Sequence, residues 1–173
     1  MGFTPLSGLI MGTRCGDIDP AIVPFIMEKW DMSFQEIDAV MNKKSGVLGI
    51  SGVSNDFRVI EEAAAAGNKR AQLALDMFHH KVRRSIGGLI ASMGGVDAIV
   101  FTAGIGENGI GNRDDICNGL EYLGTRLDHE KNNMHGEERE VSVEGSRVKI
   151  FVIPTNEEIM IARDTKRITS NLI

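Results

Sequence analysis

Glycine constrains this chain more than any other residue type, because it is so unevenly placed. Of 20 glycines in 173 residues, four fall within 2–16, three within 46–52 and four within 104–111. A collagen-like helix needs glycine at every third position, and that period is absent. A disordered tract needs apolar poverty, yet 42% of the residues are apolar. Clustered glycine in a chain that can build a core marks tight turns, or backbone that comes close to a ligand.

The remaining composition excludes several classes. Nineteen basic against 24 acidic residues give a net charge of −5, a poor balance for wrapping nucleic acid or anionic lipid. Cys15 and Cys117 are too few for a disulfide framework and point to a reducing, cytoplasmic setting. The opening Met1-Gly2-Phe3-Thr4-Pro5 has no basic region and no apolar run, so no signal peptide is expected. Ser85–Gly106 has one charge, Asp97, but glycines break it into the end of a helix and a strand, so no membrane span is expected.

Periodicity alternates helix with strand. Asp19-Pro20 starts a helix carrying Ile22, Ile26 and Trp30. Ser33-Phe34-Gln35-Glu36 is a capping box for a second helix, with Met32 and Ile37 as its staple and an end near Lys43-Lys44. Val47–Ile50 reads as a short buried strand. A helix from about Asp56 to Ala66 stops at Gly67, and Asn68 caps a long one. Ala71, Ala74, Leu75, Phe78, Val82, Ile86, Leu89 and Met93 trace its apolar stripe. Asp97–Thr102 reads as a strand covered on both faces. A helix over about 113–122 follows, then a polar loop at 128–140. Val141–Val143 and Val148–Ile153 form a hairpin about Glu144-Gly145. A last helix runs from Thr155 to about Arg167. The expected fold is one α/β domain over 1–173, with a mixed sheet flanked by helices.

Four segments can carry chemistry. In Asp97-Ala-Ile-Val-Phe-Thr-Ala-Gly104-Ile-Gly106-Glu107-Asn108-Gly109 a strand runs through glycines into a helix, a junction that admits a phosphate or nucleoside. It also satisfies G-x-G-x-x-G, with Asp128 downstream, as a Rossmann NAD-binding module would. A plain glycine turn is the structural alternative. In Gly46–Arg58, Asp56 can accept from ribose hydroxyls and Arg58 can reach phosphate, or the polar residues simply cap a helix. In Met11-Gly12-Thr13-Arg14-Cys15-Gly16-Asp17, Arg14 offers a planar fork for a carboxylate or phosphoryl group, or is a solvated surface cation. In Pro154-Thr155-Asn156-Glu157-Glu158, Thr155 and Glu158 form a capping box. Glu157 is left to hold Mg²⁺ at a strand end, or to complement the helix dipole. His79-His80 has no partners spaced for zinc, and Cys15 has no neighbouring histidine to activate it.

Taken together and in order, these segments resemble the acetate kinase family. Met1-Gly-Phe-Thr-Pro-Leu-Ser-Gly-Leu, Met11-Gly-Thr-Arg-Cys-Gly-Asp-Ile-Asp-Pro, Lys44-Ser-Gly-Val-Leu-Gly-Ile-Ser-Gly, Phe101-Thr-Ala-Gly-Ile-Gly-Glu-Asn and Pro154-Thr-Asn-Glu-Glu all look like its signatures. The resemblance covers essentially the whole chain. It implies the ribonuclease H-like, actin-like ATPase fold shared by sugar kinases, actin and heat-shock chaperone ATPases. It implies reversible Mg²⁺-dependent phosphoryl transfer from ATP to acetate, giving acetyl phosphate and ADP.

The resemblance also implies residue roles. Arg14 matches the arginine that contacts the carboxylate and stabilises the transferring phosphoryl. Asp56, Phe57 and Arg58 match the nucleotide-contacting triplet. Gly104, Ile105, Gly106, Glu107 and Asn108 match the adenosine-side loop, and Glu157 the Mg²⁺-associated glutamate. Cys15 stands where the family commonly has serine.

The family's N-terminal phosphate loop, catalytic aspartate and transition-state histidine have no counterpart here, and His79, His80, His129 and His135 do not replace them. The chain therefore reads as the C-terminal, nucleotide-side lobe, inactive alone and pairing as a homodimer. A propionate or butyrate kinase, or pyrophosphate as donor, fits the same motifs.

Overall fold

The computed structural model describes residues 2–133, 135 and 137–170. Met1 of the first motif, and Met134 and Gly136 within the 128–140 segment, lie outside the described residues. The chain divides into two compact units, Met1–Gly95 and Val96–Ile173.

The first unit is helical: α1 (Ile22–Trp30), α2 (Phe34–Lys43), α3 (Gly46–Ser51), α4 (Phe57–Ala65) and α5 (Lys69–Met93). Local chemistry sets most of its boundaries. Ser33 and Glu36 form the reciprocal capping box of α2. Asn68 Oδ1 accepts from the Arg70 and Ala71 amides and starts α5. Gly67 closes α4 in a left-handed conformation. α5 packs against α3 and α4. Ile60, Ala71, Ala74, Leu75 and Phe78 are buried there with Val47, and Ile37 is buried on α2. Each large aliphatic among them contributes about 1.5–3 kcal/mol by leaving water.

Two expectations fail in this unit. Val47–Ile50 is not a strand but the body of α3. A four-residue apolar run has no period of its own, and distant backbone decides it. Carbonyls of Thr13, Met11 and Gly12 accept the amides of Ser45, Val47 and Leu48 and so complete the first turn of a helix. Arg70 closes the other end, donating to Ile50 O and Gly49 O. The apolar stripe of α5 is buried only in its first half, since Leu89 and Met93 are 64% and 66% exposed.

The second unit is built on a three-stranded mixed sheet. Its elements are β1 (Ala98–Phe101), α6 (Ala103–Asn108), α7 (Ile110–Cys117), a 3-10 turn at Glu121–Leu123, α8 (His129–Asn132), β2 (Arg139–Glu140), β3 (Lys149–Val152) and α9 (Glu157–Ser170). β3 is central. It runs parallel to β1, with Ala98 opposite Lys149 and Phe101 opposite Val152, and antiparallel to β2. Single bridges tie Thr125 to Val148 and Leu127 to Ser142. The hairpin turns about Gly145 as expected, but its ladder lies at 139–140 rather than 141–143. The expected polar loop contains α8 and β2, and the helix expected over 113–122 is α7, which ends at Cys117.

Only one face of β1 is covered. Ile99 and Phe101 are buried, whereas Val100 is 49% exposed. Asp128 caps α8, accepting from the Glu130 and Lys131 amides, with Lys131 Nζ 3.3 Å from its carboxylate. That is a complete structural role for the acid that a dinucleotide reading would have used. Among the described residues no helix is long and apolar enough to cross a membrane.

Candidate functional site

In the first unit, the Arg14 loop is shaped by backbone pairing. Met11 N–H donates to Arg14 O, and Cys15 N–H donates to Met41 O. α3 presses against it from below. Gly46 sits at φ +64°, and a Cβ there would fall 2.1 Å from Met11 O and 2.9 Å from Arg14 N. Only glycine lets the two segments approach this closely. The Arg14 guanidinium rests with Nη1 3.8 Å from Met11 Sδ, half-buried. Burial pushes the neighbouring Cys15 thiol up, away from the thiolate form.

The same loop leans on the start of α4. A Cβ on Gly12 would meet Asn55 O at 3.0 Å, beside Asp56. Asp56 is the N-cap of α4, with Oδ1 accepting from Arg58 N–H at 3.0 Å. Its carboxylate also takes a two-pronged contact from Arg58, Nε to Oδ1 at 3.1 Å and Nη2 to Oδ2 at 2.7 Å. The Arg58 contact holds the Asp56 carboxyl below its ordinary range. Phe57 packs edge-on against Phe78, ring centroids 4.7 Å apart. The structure thus places Arg14 and Asp56–Arg58 on adjoining turns. It gives Asp56 a capping role and Phe57 a core contact besides any ligand they meet.

In the second unit, Gly104–Asn108 is the body of the six-residue helix α6, not an open turn. Ala103 opens it at φ +58°, a left-handed conformation unusual for a residue with a Cβ. Glu107 points toward the segment that follows β3. Its Oε1 accepts Thr155 N–H at 2.7 Å and the Thr155 hydroxyl at 3.0 Å. These bonds from Thr155 hold the Glu107 carboxyl below the usual glutamate range. Asn108 Nδ2 bonds Gly104 O within the helix. Gly104 itself is exposed, with open space where a side chain would stand.

The expected Thr155–Glu158 capping box does not form. α9 begins at Glu157, and Asn156 Oδ1 accepts from Ile159 N–H in the capping position. Thr155 is drawn away by Glu107 and Thr102. Glu157 is exposed in the first turn of α9. Among the described residues no group of three histidine, cysteine or acidic side chains could hold a metal ion. A single exposed carboxylate suits Mg²⁺, which keeps waters and takes substrate phosphates rather than entering a protein cage.

Arg113 carries a role with no signature in the local sequence. It is fully buried in α7. Nη1 donates to Gly106 O and Glu107 O at 2.9 and 2.8 Å, two carbonyls in the last turn of α6. Nε and Nη2 donate to Asn132 Oδ1 and O at 2.6 and 2.8 Å. Burial pulls Arg113 down from its ordinary value. The guanidinium is thus a C-terminal clamp on the glycine-rich helix. No local motif encodes it, because its partners come from α6 and α8.

Comparison with known proteins places these motifs. The acetokinase family model matches residues 1–163. An acetate kinase of Clostridium botulinum strain Loch Maree is 65% identical over 170 residues, 98% of this chain and 43% of that protein. One from Halothermothrix orenii is 59% identical over 171 residues, 99% of this chain and 43% of that protein. Among solved structures, Porphyromonas gingivalis acetate kinase superposes with a TM-score of 0.93 at 46% identity, covering 98% of this chain and 43% of its own. A propionate kinase from Francisella tularensis gives 0.86 at 44% identity, over 94% and 41%. The chain therefore spans under half the length of the relatives it matches. Its small mixed sheet flanked by helices agrees with the actin-like ATPase architecture expected from the motifs. With the family model matched over residues 1–163 and relatives 65% identical along 98% of its length, the chain belongs to the acetokinase family.

Proposed function

We propose that these residues form the nucleotide-side lobe of an acetate kinase, which transfers a phosphoryl group reversibly between ATP and acetate. The observation that carries the reading is the Arg14 loop, locked on Gly46 and adjoining Asp56–Arg58 within a chain of this family. Phosphoryl transfer passes through a loose in-line transition state, so catalysis is mainly positioning and charge stabilisation. Arg14 supplies the fork that meets the acyl carboxylate and the transferring phosphoryl. Asp56 keeps a lone pair on Oδ2 for a ribose hydroxyl, since among the described residues that oxygen accepts from Arg58 Nη2 alone. Arg58, with a side chain 85% exposed, reaches phosphate. Gly104–Asn108 receives the adenosine along the open face of α6. Glu157 holds Mg²⁺ through water or directly, and the ion neutralises phosphate charge when bound.

The curated acetate kinases at 65% identity favour acetate over propionate as acceptor. On this reading the protein works in the cytoplasm as a homodimer and has no nucleic-acid or membrane partner. On the same reading ATP is the donor, with Gly104–Asn108 as its adenosine-side helix. Calorimetry with ADP, comparing the unaltered chain with Asp56→Ala, tests the assignment. Weak binding that falls in the variant is expected, and identical heats would count against the ribose contact. Hydroxamate trapping of acetyl phosphate should show little or no turnover by residues 1–173 alone. Robust turnover would refute the one-lobe reading.

A further inference from the structure

Thr155 sits where three bonds meet. Its hydroxyl lies 3.0 Å from Glu107 Oε1, 2.9 Å from Thr102 Oγ1 and 3.1 Å from Ala103 N. A hydroxyl has one proton to give and two lone pairs to receive with. The Glu107 carboxylate can only accept, so Thr155 donates to it. Ala103 N–H can only donate, so it takes one lone pair. Thr102 must then donate to the other. The polar capacity of the hydroxyl is filled, and the direction of every bond is fixed.

This arrangement joins segments about fifty positions apart. One side is the β1–α6 junction, with Ala103 held at φ +58°. Such a conformation persists only where its surroundings over-determine it. The other side is the segment between β3 and α9, two residues before Glu157. Thr155 N–H adds a fourth bond, to Glu107 Oε1 at 2.7 Å. At its far end α6 is clamped by buried Arg113. With both ends fixed, α6 and the start of α9 share one arrangement.

We propose that Thr155 and Glu107 are positioning residues that couple the Gly104–Asn108 helix to Glu157, so that divalent metal and nucleoside binding reinforce each other. This rests on the nucleotide reading above and assigns Glu107 inward, toward Thr155, rather than to the ligand. Coupling of this kind must be reciprocal, since each ligand favours the arrangement the other requires.

The test is calorimetric titration of ADP, with and without Mg²⁺, into the unaltered chain, Thr155→Val and Thr155→Ser. Mg²⁺ should raise ADP affinity in the unaltered chain and in Thr155→Ser, which keeps the hydroxyl. In Thr155→Val that gain should shrink by at least about fivefold, the low end of typical coupling, while metal-free affinity changes less. An undiminished gain in Thr155→Val overturns the coupling, as does an equal loss in Thr155→Ser.

Hydrogen exchange of the Ala103 amide in the unaltered chain gives a reading that needs no variant. Adding Mg²⁺ to the ADP complex should increase its protection, and unchanged protection overturns the proposal. If the unaltered chain binds no ADP, the functional reading itself falls and takes the coupling with it. ADP binding with a hydroxyl-independent Mg²⁺ gain sinks the coupling alone.

Discussion

Arg113→Met should be among the most damaging single changes in the second unit. The native guanidinium donates at least four hydrogen bonds and is fully buried. Two of the acceptors belong to Asn132, which is itself buried at 2% exposure. Methionine fills similar volume but leaves Asn132 Oδ1 and O unpartnered, and each orphaned buried acceptor costs about 1–3 kcal/mol. The carbonyls of Gly106 and Glu107 lie nearer the surface and recover water at smaller cost. Against these losses stands relief of the desolvation that a buried cation suffers. The net expectation is a loss of about 3 kcal/mol.

Guanidinium unfolding, followed by exchange of the Val141 amide that bonds Ile150 O in the sheet, measures it. The mechanism also predicts non-additivity. Asn132→Leu should cost stability alone, yet Arg113→Met with Asn132→Leu should cost about 1–3 kcal/mol less than the sum, because the double variant no longer holds a stranded Oδ1 at position 132, although the backbone carbonyl there stays unpaired. A single-variant loss below about 1 kcal/mol, or strict additivity in the pair, would refute the clamp.

Other outcomes follow from features already described. Gly46→Ala forces a left-handed φ on alanine and drives its Cβ into Met11 O, so a loss of about 3 kcal/mol or more is expected in denaturant unfolding. Gly67→Ala shares the left-handed φ but has open space, and should cost only about 1–2 kcal/mol. Glu107 has a folded-state carboxyl below its unfolded value, so its contribution is present above the unfolded value of about 4.3 and is lost as pH falls through the lower folded value. Urea unfolding from pH 6 to 3 should therefore show a smaller acid-side decline in Glu107→Gln than in the unaltered chain. The Cys117 thiol is pushed up to about 12 by burial, with Asp114 and Glu121 adding to it. At pH 8 it should react with a maleimide far more slowly than Cys15, and equal rates would contradict the packing of α7.

Local chemistry was legible where it acts locally. Ser33 and Glu36 cap α2, and Asn68 caps α5, because the partners lie within three residues. Gly145 turns the hairpin for the same reason. The family was legible from the motif segments taken together, since their glycines, arginine and acids follow one order along the chain. What the sequence hid was settled by distant groups. Val47–Ile50 became helix because carbonyls from Met11–Thr13 met its amides. Thr155 looked like a cap, but Glu107, 48 positions away, took its N–H and hydroxyl. Arg113 read as one more charged residue near a glycine turn, and nothing nearby announces its burial. Each miss is a long-range bond overriding a short-range preference.

The pairing of Met11–Thr13 with the first turn of α3 also has a consequence in time. Those bonds span more than thirty residues, and closing a chain segment of that length costs about 3 kcal/mol of loop entropy before any contact repays it. α3 has six residues, well below the length at which an isolated helix holds itself together. It cannot precede the loop that completes it. The Arg14 loop and α3 are therefore expected to form in one joint step rather than in sequence. A change that hinders closure at Gly46 should on that account delay the placement of Arg14 as well as lower stability.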